Sequence, residues 1–378
     1  MRKIVIRNNI TAIYLDHREL INNMYNKEII SNGAEKFKLC PELFYFHERP
    51  SDSRHANAKQ QSEVDNGDTS VAAKPSKSNK RKLDKFEAIT ELQSIQIMAE
   101  DFVQQLNKQK IFERPNIIVD SKVFPRFWEE IGTDDFPQFN GANTTTTYQH
   151  CRFGNYSYLI PPNCRFFNCD VMELPKLLPQ LLSSSEHFDL IVLDPPWRNK
   201  YIRRLKRARK ELGYQMLNIE QLSQMPIKQL IHERSIVAIW CTNSREHQRA
   251  IVDELLPTWH LRLQHKLYWL KLNTSGKLIR SIDISGVKKQ PFEMLYIACH
   301  MESTQNFTDS LQQVKALVSV PSIVHSHKPP ILPWLSEMLP EQPNCLEIFA
   351  RYLQPQFTSI GLEVLKLMDD RLYSSIDN

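Results

Sequence analysis

The stretch FDLIVLDPPW, residues 188–197, places an apolar run directly before an acid, two prolines and a tryptophan. The run predicts a buried β-strand, Phe188–Leu193, that ends at Asp194 because proline cannot continue the hydrogen-bond ladder of a sheet. In parallel α/β sheets, ligands bind at the carboxyl ends of the strands. The stretch therefore predicts a carboxylate at the ligand-binding edge of a sheet.

The residues Asp194–Trp197 suit a planar ring that carries an amino group. The Asp194 carboxylate and the Pro195 carbonyl are both acceptors for the hydrogens of one amine, and Trp197 offers a flat apolar face. Two acceptors gripping an aromatic amine favour a more tetrahedral and more nucleophilic nitrogen. The alternative is that the motif only terminates a strand.

Short apolar runs alternate with helical patterns after residue 150, which indicates a mainly parallel α/β sheet. Besides Phe188–Leu193, the predicted strands are Ile236–Thr242, Leu267–Leu272, Phe292–Ala298, Leu317–Pro321, Leu346–Phe349 and Ser359–Leu367. The predicted helices are Ile219–Ile231, Arg245–Leu256 and Leu332–Leu339.

Composition bounds the class of protein. The 378 residues, 41% of them apolar, suffice for two domains and a sizeable core. No run approaches the ~18–20 apolar residues of a membrane span, and the N-terminus does not resemble a secretory signal. The seven cysteines form no C-x-x-C pair, which favours an intracellular, reduced protein. His325 and His327 lack a further ligand at suitable spacing, so no metal is expected.

Residues 1–150 form a predicted N-terminal accessory region, an α+β extension. Within it, residues 51–82 are almost free of large apolar side chains and are predicted to be a disordered insert. The basic cluster at residues 77–85 is interpreted either as a nuclear localisation signal or as a solvated linker. An amphipathic helix is predicted after the insert, and residues 151–378 form the second predicted domain.

LDPPW resembles motif IV of the amino-methyltransferases, in the circularly permuted form of the MT-A70 family. The segments at 168–174, 320–330 and 346–367 resemble further motifs of that family, and the latter two are most similar to its methyltransferase-like protein 4 group. The resemblance covers roughly residues 150–370. It implies a Rossmann-like class I methyltransferase sheet in permuted motif order, with S-adenosylmethionine as methyl donor and adenine N6 as acceptor.

The resemblance also implies which residues act. The catalytic residues are Asp194, Pro195, Pro196 and Trp197. The cofactor-binding residues are Cys169, Asp170, Val171, Asp194, Lys328, Arg351, Gln354 and Glu363. In the family, the segment 169–171 lies along the donor adenine and Lys328 matches a lysine that pairs with the methionine carboxylate. Arg351, Gln354 and Glu363 match contacts around the ribose.

Two positions depart from the family pattern. They lie in and near residues 349–352, which match the degenerate glycine loop of the family. The chain has no G-x-G-x-x-G or Walker A motif. Leu362 replaces a polar residue, and Tyr352 stands where the nearest group often has asparagine. Both are expected to face the ribose. Loss of one polar contact costs about 1 kcal/mol, so these departures bear on donor affinity.

A dense basic run follows the D-P-P-W motif. Its candidate nucleic-acid contacts are Arg198, Lys200, Arg203, Arg204, Lys206 and Arg207. Because the run starts at the rim of the predicted site, we expect it to bind phosphates with a strong salt dependence. The alternative is a solvated charged loop.

These observations predict an S-adenosylmethionine-dependent N6-adenine methyltransferase that acts on nucleic acid. The nucleus is the expected location, ahead of the cytoplasm, and the protein is expected to be active without a partner subunit. The resemblance favours RNA over DNA, and small nuclear RNA such as U2, with a 2′-O-methyladenosine target, over other RNA. One alternative is a non-catalytic nucleic-acid-binding subunit with the same fold. Another is an assembly factor that acts through residues 1–150.

Overall fold

A computed structural model describes most of the chain. The described residues are 1–6, 10–27, 34–44, 76–112, 139–154, 156–182, 187–198, 216–286, 288–304, 307–324 and 326–376, with only the backbone described for 76–85 and 309–310. Within these ranges, no helix combines the length and the apolar character needed to cross a membrane.

The first third of the chain mixes short strands with two helices. Its elements are β1 (Arg2–Val5), β2 (Thr11–Tyr14), α1 (His17–Lys27), β3 (Lys36–Leu39), a 3₁₀ turn (Pro41–Phe44), α2 (Ser76–Lys108) and β4 (Asn140–Asn143).

The rest of the chain alternates strands with short helices. Its elements are β5 (Gln149–Phe153), β6 (Tyr156–Ile160), β7 (Cys164–Phe167), a 3₁₀ turn (Val171–Glu173), α3 (Leu174–Leu181), β8 (Phe188–Leu193), α4 (Ile219–Ser223), α5 (Ile227–Leu230), β9 (Ile231–Cys241), α6 (Arg245–Ala250), a π-helical turn (Ile251–Leu255), α7 (Leu256–Thr258), β10 (Leu261–Lys271), β11 (Phe292–His300), α8 (Asp309–Gln312), β12 (Val314–Ser319), α9 (Leu332–Leu335), a 3₁₀ turn (Ser336–Met338), β13 (Cys345–Ile348), β14 (Phe357–Ile360), a 3₁₀ turn (Asp370–Leu372) and β15 (Tyr373–Ile376).

Eleven strands form one sheet in the order β1-β2-β12-β10-β11-β9-β8-β13-β14-β7-β4. The run from β9 through β8, β13 and β14 to β7 is parallel, as are β10, β12 and β2. β11 is antiparallel to both neighbours, and the edge pairs β1–β2 and β4–β7 are antiparallel. The predicted α/β Rossmann-like class is confirmed, with more antiparallel pairing than predicted.

The predicted strands differ in how closely their bounds agree with the structure. β8 has the predicted bounds, and five of its six residues are buried. The strand predicted over Ser359–Leu367 is wrong in its second half, because β14 ends at Ile360 and turns follow. Val364 and Leu365 in those turns are fully buried in a core cluster. Their hydrophobicity therefore reports burial and not strand structure.

The predicted helices are shorter and more interrupted than expected. The helix predicted over Ile219–Ile231 is the pair α4 and α5, since Pro226 between them lacks an N–H group, and Ile231 belongs to β9. The helix predicted over Arg245–Leu256 contains the π-helical turn Ile251–Leu255. The helix predicted over Leu332–Leu339 is α9 followed by a 3₁₀ turn.

Strands from both sides of residue 150 share the large sheet: β2 pairs with β12, and β4 pairs with β7. Helix α2 buries Met98 and Phe102 in the same core cluster as β8. This helix begins at Ser76, so the backbone of residues 76–82 of the predicted insert is helical, while residues 51–75 lie outside the described residues. The division of the chain at residue 150 stays a prediction.

Candidate active site

A cleft opens at the carboxyl ends of β8 and β13, which are parallel neighbours inside the sheet. Its open space, including the mouth that faces solvent, is about 630 Å³. Its lining includes three acids and one base, namely Asp170, Asp194, Glu363 and Arg351. The location agrees with the rule that ligands of such sheets bind at carboxyl ends of strands.

The floor of the cleft is a close approach of two backbone segments. The turn after β13 meets the end of β14, where the Ala350 N–H donates to the Ile360 carbonyl at 3.0 Å. A Cβ atom on Gly361 would lie 2.9 Å from the Ala350 oxygen, so a side chain there would force the turn apart. Phe349 has a φ of +68°, a strained conformation that bulky residues adopt mainly at functional sites. Residues 349–351 of this loop therefore line the cleft, and Gly361 is the glycine that allows the loop to approach the end of β14 closely.

The D-P-P-W motif forms a tight turn after β8. The Trp197 N–H donates to the Pro195 carbonyl at 2.7 Å, and the Leu217 N–H donates to the Pro196 carbonyl at 3.2 Å. Pro195 lines the cleft. Its carbonyl oxygen can accept two hydrogen bonds, so one lone pair remains after the bond from the Trp197 N–H. The turn therefore supplies the backbone acceptor that the sequence predicted.

Trp197 does not offer an open face in this structure, contrary to the prediction. Its ring is 4% exposed, its Nε1–H donates to the Trp240 carbonyl at 2.8 Å, and it stacks on His247 at 5.0 Å between centroids. The tight turn points the indole into the core. Trp197 therefore anchors the turn, and the cleft side of the motif is Asp194, Pro195 and Pro196.

The carboxylate of Asp194 is held through one oxygen. Oδ2 accepts from Lys328 Nζ at 2.8 Å and from Ser326 Oγ. Among the described residues, none donates a hydrogen bond to Oδ1. Since Asp194 lines the cleft, Oδ1 is available to a ligand donor while Oδ2 fixes the orientation of the group.

A chain of alternating charges continues behind Asp194. Lys328 Nζ lies 3.2 Å from Glu293 Oε2, and Glu293 also binds Lys271. Burial alone would raise the pKa of Glu293, but the two ammonium groups outweigh it and hold that pKa well below its ordinary value. Burial alone would lower the pKa of Lys328, yet Asp194 and Glu293 outweigh it and raise that pKa. Glu293 and Lys328 therefore each stabilise the charged form of the other.

Four of the predicted donor-binding residues line the cleft beside Asp194: Asp170, Val171, Arg351 and Glu363. Arg351 pairs with Glu363 at 3.0 Å. Asp170 accepts from the Met172 N–H at 2.9 Å and so caps the 3₁₀ turn after β7. The structure thus brings together segments that lie up to 193 positions apart in the sequence.

The other predicted donor-binding residues do not line the cleft. Cys169 is half-buried against the core, and burial raises its pKa to about 11. Lys328 lies behind Asp194 and Ser326 and is 7% exposed. Gln354 is buried, and its amide donates to Glu347 Oε2 at 2.7 Å. A direct contact of Gln354 with a ribose is therefore not supported.

The two departures from the family pattern occupy different environments. Leu362 lines the cleft and is exposed, as expected of a position that faces a ligand. Tyr352 is buried, and its hydroxyl donates to the Lys328 carbonyl at 3.2 Å. The expectation that Tyr352 faces the ribose is wrong, and this tyrosine instead supports the segment that carries Lys328.

Glu347 lies in β13 beneath the cleft, and burial raises its pKa to about 8. In the unfolded chain, this carboxyl ionises near 4.5, so folding stability falls as pH rises from the unfolded value through the folded one. We expect Glu347→Gln to raise the melting temperature relative to the wild type by about 5 °C more at pH ~9 than at pH ~5.5. Thermal unfolding at both pH values measures this. Glu341→Gln on the exposed surface is the control, and an equal shift in both variants would contradict the assignment.

The basic run is described only at its start. Arg198 is exposed at the end of the D-P-P-W turn. The candidates Lys200, Arg203, Arg204, Lys206 and Arg207 lie outside the described residues. A cluster of His260, His300 and Glu302 at the far end of β10 resembles a set of metal ligands but lies away from the cleft.

Three residues of the site were missed by sequence reasoning. Ser326, at a φ of +62°, bridges Asp194 and Lys328, and the charges of Glu293 and Lys271 complete the chain behind them. Ser326 stands inside the H-S-H-K-P-P motif, which was the available signal. Glu293 and Lys271 each lie at a strand end with no local pattern around them.

The chemistry of the cleft fits a nucleoside that carries an amino acid. Asp170 and Glu363 are carboxylates that accept from ribose hydroxyls, and Val171, Phe349 and Leu362 supply apolar surface for a base. The cations for a carboxylate are Arg351, which lines the cleft, and Lys328, which lies behind Asp194. S-adenosylmethionine has each of these parts.

Residues 188–363 match the MT-A70 family model. The matched segment begins with β8 and ends at Glu363, so it contains the D-P-P-W turn, Glu293, Lys328 and Arg351. Asp170 and the N-terminal elements precede it.

Several curated proteins are similar to this chain. It is 35% identical over 216 residues to the N(6)-adenine-specific methyltransferase METTL4 of Mus musculus, covering 55% of this chain and 43% of that protein. It is 33% identical over 233 residues to the N6-methyladenosine RNA methyltransferase MTA1 of Pyricularia oryzae, covering 60% and 58%. It is 32% identical over 227 residues to a DNA N6-methyl methyltransferase of Caenorhabditis elegans, covering 57% and 56%. The chain spans about half the length of the curated relatives it matches.

Proposed function

Because this chain belongs to the MT-A70-like family and is similar to METTL4, we propose that it is an S-adenosylmethionine-dependent N6-adenine methyltransferase. The observation that carries the proposal is the position of Asp194. Asp194, whose Oδ2 is occupied by Lys328 and Ser326, and Pro195 both line a cleft whose other residues suit a nucleoside methyl donor.

The donor site is built from this chain's own charges. Glu363 and Asp170 accept from ribose hydroxyls, while Arg351 holds the Glu363 carboxylate in place through its ion pair. Lys328 supplies the positive charge for the methionine carboxylate. S-adenosylmethionine supplies a methyl group on a sulfonium sulfur, which an amine nitrogen attacks directly. The proposed role of Gln354 is indirect, through Glu347.

The acceptor amine is oriented by two oxygen atoms. Asp194 Oδ1 and the Pro195 carbonyl each accept one N6 hydrogen, which localises the nitrogen lone pair toward the donor side of the cleft. Lys328 and Ser326 keep the carboxylate from turning during the reaction. A strong base is not required, because the amine loses its proton only after the nitrogen has gained positive charge.

The proposed substrate is adenine in nucleic acid, with RNA ahead of DNA. A base in a duplex has to leave the stack to reach Asp194, and the basic run that begins at Arg198 is proposed to bind the backbone. The printed names of the relatives include both RNA and DNA methyltransferases. Small nuclear RNA with a 2′-O-methyladenosine target, and a nuclear location supported by the basic cluster at 77–85, are the finer parts of the proposal.

Methyl transfer to matched oligonucleotides tests the proposal. The purified chain is incubated with S-adenosylmethionine and with RNA, 2′-O-methylated RNA or DNA of one sequence, and the nucleosides are quantified by mass spectrometry. We expect N6-methyladenosine in RNA, most where the ribose is methylated, and less in DNA. If the chain binds RNA but shows no heat of binding with millimolar S-adenosylmethionine, it is a non-catalytic subunit.

A further inference from the structure

The segment that carries Lys328 is held from behind by residues of the N-terminal extension. His327 lies between Ser326 and Lys328, and it points away from Asp194 into a cluster of buried rings. Its ring lies 5.1 Å from that of His17 and 6.0 Å from that of Phe44, measured between centroids. His17 is 2% exposed and His327 is 3% exposed, so these contacts are fully shielded from water.

Backbone hydrogen bonds join the same two parts of the chain. β2 pairs in parallel with β12, the strand that leads into the segment, and the Leu15 N–H donates to the Val318 carbonyl at 2.8 Å. The Ile323 N–H donates to the Leu43 carbonyl at 2.7 Å. β2, Leu15 and Leu43 therefore hold the start of the segment, and the rings of His17 and Phe44 hold it beside Lys328.

The segment itself is strained where it meets Asp194. Ser326 has a φ of +62°, which a non-glycine residue holds only when its surroundings impose it. On the far side, the Tyr352 hydroxyl donates to the Lys328 carbonyl at 3.2 Å, and its ring lies 5.2 Å from that of His327. Neighbouring residues thus make contacts on different sides of the segment: Ser326 and Lys328 bind Asp194, while the ring of His327 packs against His17 and Phe44.

We propose that His17 and Phe44 are positioning residues of the methyl-donor site, which act by clamping His327 so that Ser326 and Lys328 reach Asp194. The N-terminal extension is then part of the site and not an accessory to it. The consequence for donor binding rests on the function proposed above. The clamp itself concerns only the position of residues 323, 324 and 326–328.

Hydrogen exchange on the full-length protein tests the clamp without any ligand. His17→Ala removes a wall of the ring cluster, and we expect the amides of residues 323, 324 and 326–328 to exchange about tenfold faster. His17→Phe keeps a ring and is expected to restore near wild-type exchange. Met98→Ala is the matched control, because Met98 is a buried residue of the same N-terminal extension but lies in a different core cluster from Phe44 and Val324. It is expected to lower the melting temperature and to leave these amides unchanged.

Calorimetric titration with S-adenosylmethionine extends the test to the site. His17→Ala is expected to weaken donor binding about tenfold, and both His17→Phe and Met98→Ala are expected to bind like the wild type. If His17→Ala does not fold, Phe44→Ala removes the other wall and is expected to give the same two results. Unchanged exchange at residues 323, 324 and 326–328 in a folded His17→Ala or Phe44→Ala protein, or equal acceleration in Met98→Ala, overturns the proposal. Failure of the wild type to bind the donor counts against the proposed function and leaves the exchange result to decide the clamp.

Discussion

Asp194→Asn is expected to lower the rate of methyl transfer by about a thousandfold, the scale seen when one transition-state hydrogen-bonding group is lost. The reason lies in the asymmetry of the site. Lys328 and Ser326 both donate to one side of residue 194, so an asparagine turns its single oxygen toward them. Its amide NH2 group then faces the cleft, where a donor opposes the N6 hydrogens of adenine.

Single-turnover transfer with radiolabelled S-adenosylmethionine measures this loss, and fluorescence anisotropy follows RNA binding in parallel. We expect RNA affinity to change little. Asp189→Asn is the control, because Asp189 lies in β8, the strand that leads to Asp194, but accepts from the Asn344 N–H at 2.8 Å and does not line the cleft. A transfer rate within about tenfold of the wild type for Asp194→Asn would remove Asp194 from the mechanism.

Much of the fold near Asp194 was predictable because its signals are local. A six-residue run with five apolar residues, followed by an acid and two prolines, fixes both the strand and its end, and β8 has the predicted bounds. The sheet edges were not predictable in the same way. Pairing of β2 with β12, or of β4 with β7, joins residues that are far apart and whose short strands carry little pattern of their own.

The identity of the site residues was more predictable than their orientation. Trp197 and Gln354 lie near the cleft, but both side chains point into the protein. The direction of Trp197 depends on the hydrogen bond from its own N–H to Pro195, which composition does not reveal. Motif resemblance identifies a position, whereas the side that a residue faces is set by turn geometry and packing.

The charge chain behind Asp194 could not be predicted, since each charge gains its meaning from a distant partner. Glu293, near the start of β11, forms ion pairs with Lys271 of β10 and with Lys328, which lies 35 positions further on. An isolated acid in a strand pattern is more often a solvated side chain. Only the paired strands show that it lies between two ammonium groups.

Lys328→Met is expected to weaken binding of S-adenosylmethionine about a hundredfold, the scale of losing one strong charged hydrogen bond. It is also expected to lower the free energy of unfolding by about 3 kcal/mol, because Asp194 and Glu293 lose a buried partner. Calorimetric titration and denaturant unfolding measure the two effects separately.

Two further variants separate binding from stability. Lys271→Met removes the other cation of Glu293, so it is expected to cost stability on the same scale and to leave donor affinity within about threefold of the wild type. In the double variant Lys328→Met, Glu293→Gln, the carboxylate of residue 293, which would have only Lys271 left as a partner, is also removed. This double variant is expected to regain part of the stability lost in Lys328→Met without regaining donor binding. Wild-type affinity in Lys328→Met would mean that the ammonium serves only to hold Asp194 and that another group binds the donor carboxylate.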